Sequence, residues 1–164
     1  MSKQAILHEV KDVDYERQRN KPSPDLLHGF IQSEISVLLQ LEYGWKYDFP
    51  SEVTLATEPP STPDICIYPP QAVFDWLEMP EIETEMPITT IEILSPSQSL
   101  DEMVRKIKNR YFPKGVKSAW IVLPGFKAIH LMLPSGNRYF DSGNLTDPAT
   151  GIEISIEKVF ERVV

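Results

Sequence analysis

Two carboxylates stand where carboxylates are costly to place. Glu92 interrupts the apolar run Ile91-Glu92-Ile93-Leu94, and Asp64 opens a second run in Pro63-Asp64-Ile65. An ionised carboxylate is expensive to bury unless it is paired or holds a cation. Glu92 therefore lies on a wetted face, pairs with a basic side chain, or is a ligand. Asp64 alone reads equally well as turn chemistry ahead of a strand. Lys106 lies on the helical segment that leaves the Glu92 run, and by itself it is an ordinary surface lysine. Taken together the three allow more. If the two runs are neighbouring strands, their carboxylates could hold one hard cation, Mg²⁺ or Mn²⁺, which favours oxygen ligands. Such an ion polarises a phosphodiester and helps generate hydroxide. A lysine beside it could orient the attacking water or offset charge at phosphorus.

These residues need a scaffold, and the sequence outlines one. Residues 1–22 are polar and weakly periodic, and read as an arm ahead of a single domain at 23–164. Ser23-Pro24-Asp25 has the form of a helix start, with serine as cap and proline at the first position. The helix runs to about residue 42, Gly44 stops it, and Leu27, Ile31, Ile35, Leu38 and Leu41 mark its buried stripe. Short runs at 45–49, 53–56 and 65–68 have strand character. The proline- and acid-rich stretch 69–87 is a loop, with a turn of helix at 73–77. Residues 88–94 are the most β-like of the chain. Ser99-Leu100-Asp101-Glu102 has the form of a capping box, and the helix behind it buries Leu100, Met103, Val104, Ile107 and Tyr111. Residues 118–123 form a near-continuous apolar strand. Residues 126–133 and 138–140 form a hairpin, and Ile152, Ile154 and Ile156 alternate ahead of a short helix through Phe160. The expected fold class is α/β (mixed α+β): one mixed sheet flanked by helices. Segments 88–94, 99–112 and 118–123 make a crossover between parallel strands, with 65–68, 88–94 and 118–123 central.

The chain has 164 residues, a 41% hydrophobic content and a net charge of −8. That is enough apolar material for one core, and too acidic for a general nucleic-acid coat protein. The charge is uneven, however. Arg105, Lys106, Lys108, Arg110, Lys114 and Lys117 fall within thirteen residues, and are expected to rim the side where the carboxylates open. The single cysteine, Cys66, permits no intramolecular disulfide and reads as a small buried side chain. No stretch is apolar and long enough to span a bilayer, and the first eleven residues lack a leader pattern. A cytoplasmic protein is expected.

Pro24 and His28 of the first helix, Pro63-Asp64, the run Ile91-Glu92-Ile93-Leu94-Ser95-Pro96-Ser97, a basic helix ending in Tyr111, and Gly115-Val116-Lys117-Ser118-Ala119-Trp120-Ile121-Val122 carry a resemblance. Together they resemble a restriction endonuclease family, long known only as a domain of unknown function, in the PD-(D/E)XK nuclease superfamily. The resemblance spans about residues 23–133. It implies Asp64 and Glu92 as metal ligands, Mg²⁺ or Mn²⁺ as cofactor and DNA as substrate. It also implies that the lysine comes from the following helix, because Leu94 stands where the superfamily motif has it. Counting forward from Ser95 gives Lys106. Counting back from Tyr111 gives Ile107, so one residue is inserted between Lys106 and Tyr111. Lys106 and Lys108 leave the apolar stripe on opposite sides, so only one can face the site; Lys106 is preferred, with Lys108 in reserve. Related nucleases place a first-helix acid near the metal, which makes Glu34 a further candidate. Ser95 and Gln98, at the strand-to-helix turn, could bind water or phosphate. His28 reads as a packing, capping or supporting group, and His130 as a plain strand residue. Cutting both strands of a duplex suits a homodimer. The alternative is a non-catalytic module that keeps the fold and works through contacts alone.

Overall fold

The computed structural model describes residues 23–71 and 74–164; the segment read as an arm, and part of the turn expected at 73–77, lie outside the described residues. A five-stranded sheet runs β1 (Ile65–Ile67), β2 (Thr89–Ile93), β3 (Ser118–Leu123), β4 (Ala128–Leu133), β5 (Gly136–Phe140), in that spatial order. β2 and β3 are parallel and the other neighbours antiparallel. A two-stranded ribbon, β6 (Asn144–Thr146) with β7 (Glu153–Ser155), follows.

One face of the sheet carries α1 (Leu26–Tyr43). Its buried side is His28, Ile31, Ile35 and Leu39, and the three aliphatic residues cluster with Ile65, Ile67, Ile91, Ile93, Trp120 and Val122. Full burial of each such aliphatic side chain contributes about 1.5–3 kcal/mol. The stripe is thus rotated from the expected one, since Leu27 and Leu41 are exposed. The rotation brings His28 inward to a polar partner described below. The cap differs too: Asp25, not Ser23, accepts from the His28 backbone N–H at 2.8 Å. At the other end Gly44 keeps right-handed backbone angles. A Cβ there would stand 2.5 Å from the Gln40 carbonyl oxygen, so glycine serves by its size.

The opposite face carries α2 (Leu100–Lys106), then a π-helical turn at Ile107–Tyr111 and a 3₁₀ turn at Phe112–Lys114. Met103, Ile107 and Tyr111 pack there on Cys66, Ala119, Ile121 and Met132. Ser99 sits at the N-cap of α2 but makes no side-chain capping bond, so the expected capping box is absent. The expected strands at 45–49 and 53–56 are reduced to single bridging pairs, Asp48–Tyr68, Ser51–Ile65 and Leu55–Ser61. Pro50 offers no N–H and Glu52 adopts a left-handed conformation at φ 59°, which breaks any ladder. β1 consequently lies at the sheet edge instead of among the central strands. α3 (Ile156–Val159) closes the chain against the α1 face.

Candidate active site

The antiparallel register pairs Ile65 with Ile91, so one step further Asp64 falls opposite Glu92. Both are buried, at 0% and 1% exposure. In β2 the alternation that turns Ile91 and Ile93 toward α1 turns Glu92 toward α2. There Glu92 Oε1 accepts from two donors, the Lys106 ammonium at 2.6 Å and the Tyr111 hydroxyl at 2.5 Å. Lys106 Nζ also lies 5.4 Å from the centre of the Tyr111 ring. Burial, followed by the charge of Glu92, raises the Tyr111 pKa well above its ordinary value, so the phenol keeps its proton and donates.

The π turn makes this convergence possible. In an α-helix, residues five apart are rotated by about 140°, which would send Lys106 and Tyr111 to different sides. The Phe112 N–H bonds the Ile107 carbonyl, an i→i+5 closure, and such a turn brings residues five apart back toward one face. A π turn is the usual form of a one-residue insertion in a helix, and the insertion read between Lys106 and Tyr111 lies within it. Lys108 is exposed, so the lysine that reaches Glu92 is Lys106.

Asp64 is held from three sides. Oδ1 lies 3.0 Å from His28 Nε2, Oδ2 accepts from the Ile93 backbone N–H at 2.7 Å, and its carbonyl accepts from Gln32 Nε2 at 3.0 Å. The Ile93 contact puts a side-chain oxygen where the β1–β2 ladder ends. The other ring nitrogen of His28 is 3.4 Å from Ser95 Oγ, and the Ser95 backbone N–H donates to Gln98 Oε1 at 2.9 Å. Ser95 and Gln98 thus border the site through His28. Glu34 does not join it. It lines a surface depression with Leu38, Glu157 and Lys158, because it stands two positions, about 200° of helix, from Gln32, the first-helix side chain that does reach Asp64. Gln32 was not singled out by sequence; its only signal is its i+4 spacing from His28. His130 is half-buried on β4, opposite Tyr139, and burial lowers its pKa.

The basic side chains divide. Arg105, Lys106 and Arg110 line a cleft of about 350 Å³ with Gln98, Ser99 and Asn109, and Arg110 Nη1 is 3.5 Å from Ser61 Oγ. Lys117 instead precedes the first residue of β3, and its N–H bonds the Ile88 carbonyl. That is the N-terminal end of the parallel pair, away from Glu92, so Lys117 does not belong to the expected rim. Among the described residues no group of three or more His, Cys, Asp or Glu is placed to hold a metal. Asp64 and Glu92, opposite each other by the β1–β2 register, both offer oxygen, the donor type that a hard cation prefers.

A mixed sheet with helices on both faces and two buried acids across its β1–β2 end defines a nuclease-like α+β class. A solved structure, "a putative nuclease belonging to DUF820 from Anabaena variabilis ATCC 29413", shares the fold at a TM-score of 0.73 and 22% identity, over 87% of this chain and 85% of the other. The family model described as "Putative restriction endonuclease" (Uma2) matches residues 10–160, and the chain belongs to that family. No functionally curated protein matches it. Among the described residues no helix is long and apolar enough to cross a membrane.

Proposed function

We propose that this protein is a metal-dependent DNA endonuclease that hydrolyses phosphodiester bonds, with Mg²⁺ or Mn²⁺ held by Asp64 and Glu92 and with Lys106 as the catalytic lysine. The observation that carries this reading is the Lys106–Glu92 contact of 2.6 Å, with an 11% exposed lysine on a 1% exposed acid, one register step across from Asp64. When bound, the cation would polarise the phosphodiester and acidify a water. The chain's own groups do the rest. His28 and the Ile93 N–H fix the Asp64 carboxylate, and Lys106 and Tyr111 fix that of Glu92. Pre-set ligands avoid reorganisation during the reaction. The Lys106 ammonium, drawn toward an incoming phosphate, offsets negative charge that grows at phosphorus. Arg105 and Arg110, in the adjoining cleft, can grip flanking phosphates. They supply the local positive field that a protein of net charge −8 needs to approach DNA. Double-strand cutting would use a homodimer, whose two-fold axis matches that of the duplex.

The test uses purified protein with supercoiled plasmid and Mg²⁺ or Mn²⁺, beside Asp64→Ala. Nicked or linear product from the wild type alone is expected. A wild type that binds DNA yet leaves it intact with either metal would support the non-catalytic module in its place.

A further inference from the structure

A mainly apolar pocket of about 310 Å³, walled by Leu27, Leu94, Leu123 and Phe126 with Asp25 at its edge, shares His28 with the contact that holds Asp64. We propose that it takes a single unpaired nucleobase of the DNA strand, stacked on Phe126, from the nucleotide next to the phosphate at Asp64 and Glu92. The inference rests on the nuclease reading and adds to it a preference for single-stranded or frayed DNA.

Four observations point to a base. First, His28 and Ser95 belong both to the pocket wall and to the hydrogen-bond chain that holds Asp64. A strand whose phosphate meets a cation at Asp64 would have the pocket next to it. Second, Phe126 is 74% exposed although it borders an apolar recess. A flat aromatic face left in water at the rim is a stacking platform, and stacking accepts any base. Third, Phe126 is held in position. It ends the 3₁₀ turn Pro124–Phe126, and the next residue, Lys127, is left-handed at φ 47° without being glycine. Such backbone persists where the surroundings over-determine it, and it concentrates at functional sites. Fourth, the rim can meet a base edge: Gln98 uses its carbonyl for the Ser95 N–H, so it offers its amide NH₂ to a base acceptor. The volume lies at the small end of ligand pockets, roughly 300–1,000 Å³. It has room for a base, and a base inside a duplex could enter it only after release from the stack.

The experiment is run with Ca²⁺ in place of Mg²⁺, so that the acids carry a cation and binding is read apart from cleavage. A fluorescent oligothymidylate carrying one 5-iodouracil is titrated with protein and followed by anisotropy, then irradiated, and the cross-linked peptide is mapped. Wild type should bind the single strand more tightly than the matched duplex and cross-link at Phe126. Phe126→Ala, at an exposed position, should weaken single-strand binding roughly five- to a hundred-fold and lose that cross-link, and Phe126→Trp should restore binding. If Phe126→Ala binds like wild type, or the cross-link maps elsewhere, the pocket assignment is overturned while plasmid cleavage stands or falls separately. If wild type binds neither single strand nor duplex, the nuclease reading and the pocket fall together.

Discussion

Replacing Tyr111 by phenylalanine removes one oxygen and leaves the ring. Tyr111 is fully buried and donates to Glu92, itself 1% exposed. A hydrogen bond to a charged group contributes about 1.5–3 kcal/mol. Lys106 still neutralises Glu92 in the variant, which argues for the middle of that range, about 2 kcal/mol. For a chain of this length each kcal/mol moves Tm by about 2–4 °C, so Tyr111→Phe should melt roughly 4–8 °C lower. Thermal unfolding followed by circular dichroism at neutral pH reads this, because the phenol is protonated there. A double-mutant cycle with Glu92→Gln isolates the pair, and a coupling of about 1–2 kcal/mol is expected between groups in direct contact. A Tm within about 1 °C of wild type, or strictly additive effects in the cycle, would refute the argument that Tyr111 holds this carboxylate. It would also remove the reason given for the π turn. Deleting the exposed Asn109 offers an independent check. It leaves Lys106 and Tyr111 four apart, about 40° around an α-helix, so the fold should survive with the contact to Glu92 kept; a chain that no longer unfolds cooperatively would sink the idea.

Other outcomes follow from the same geometry. With wild-type cleavage as reference, Lys106→Ala should slow single-turnover cleavage by orders of magnitude with DNA binding near normal, while Lys108→Ala, at an exposed position, should cleave normally; the reverse pattern would show that the wrong lysine has been chosen. Asp147 is fully buried and accepts from Ser118 Oγ at 2.6 Å and Trp120 Nε1 at 2.8 Å. Asp147→Ala strands the Trp120 indole N–H and the Ala149 N–H, while Ser118 keeps Thr89 Oγ1 at 2.6 Å, and should cost about 2–4 kcal/mol in denaturant unfolding; a loss under about 1 kcal/mol would mean the stranded donors find other partners. Burial lowers the His130 pKa from 6.5, so the unfolded chain binds this proton more readily than the folded one. Its contribution is present above pH 6.5 and lost as pH falls through the depressed folded value. His130→Gln should therefore lose less Tm than wild type between pH 7 and 5, and equal losses would contradict the assignment.

Local pattern was enough for much of this molecule. An acid inside Ile91-Glu92-Ile93-Leu94 signals an unusual burial whatever surrounds it, because the cost of burying charge is a property of the residue and its immediate run. Strand 118–123 and the parallel strand–helix–strand unit were legible for a similar reason: a continuous branched-aliphatic run and a 3.6-residue stripe each report local burial. The extra residue between Lys106 and Tyr111 was also visible as a count. What a count cannot give is its consequence. Whether an inserted residue rotates the rest of a helix or is absorbed in a π turn depends on what Tyr111 meets, and Glu92 is nineteen positions away. The same holds for the first helix, where periodicity placed Leu27 and Leu41 inside. Asp64, on another element, draws His28 in and turns those leucines out, since a hydrogen bond between buried groups fixes a rotation that apolar spacing leaves loose. The edge position of β1, the Gln32 contact and the Asp147 cluster arise likewise from partners distant in sequence. Tertiary structure decided which faces and atoms meet; the sequence by itself determined which residues would be too costly to leave unmet.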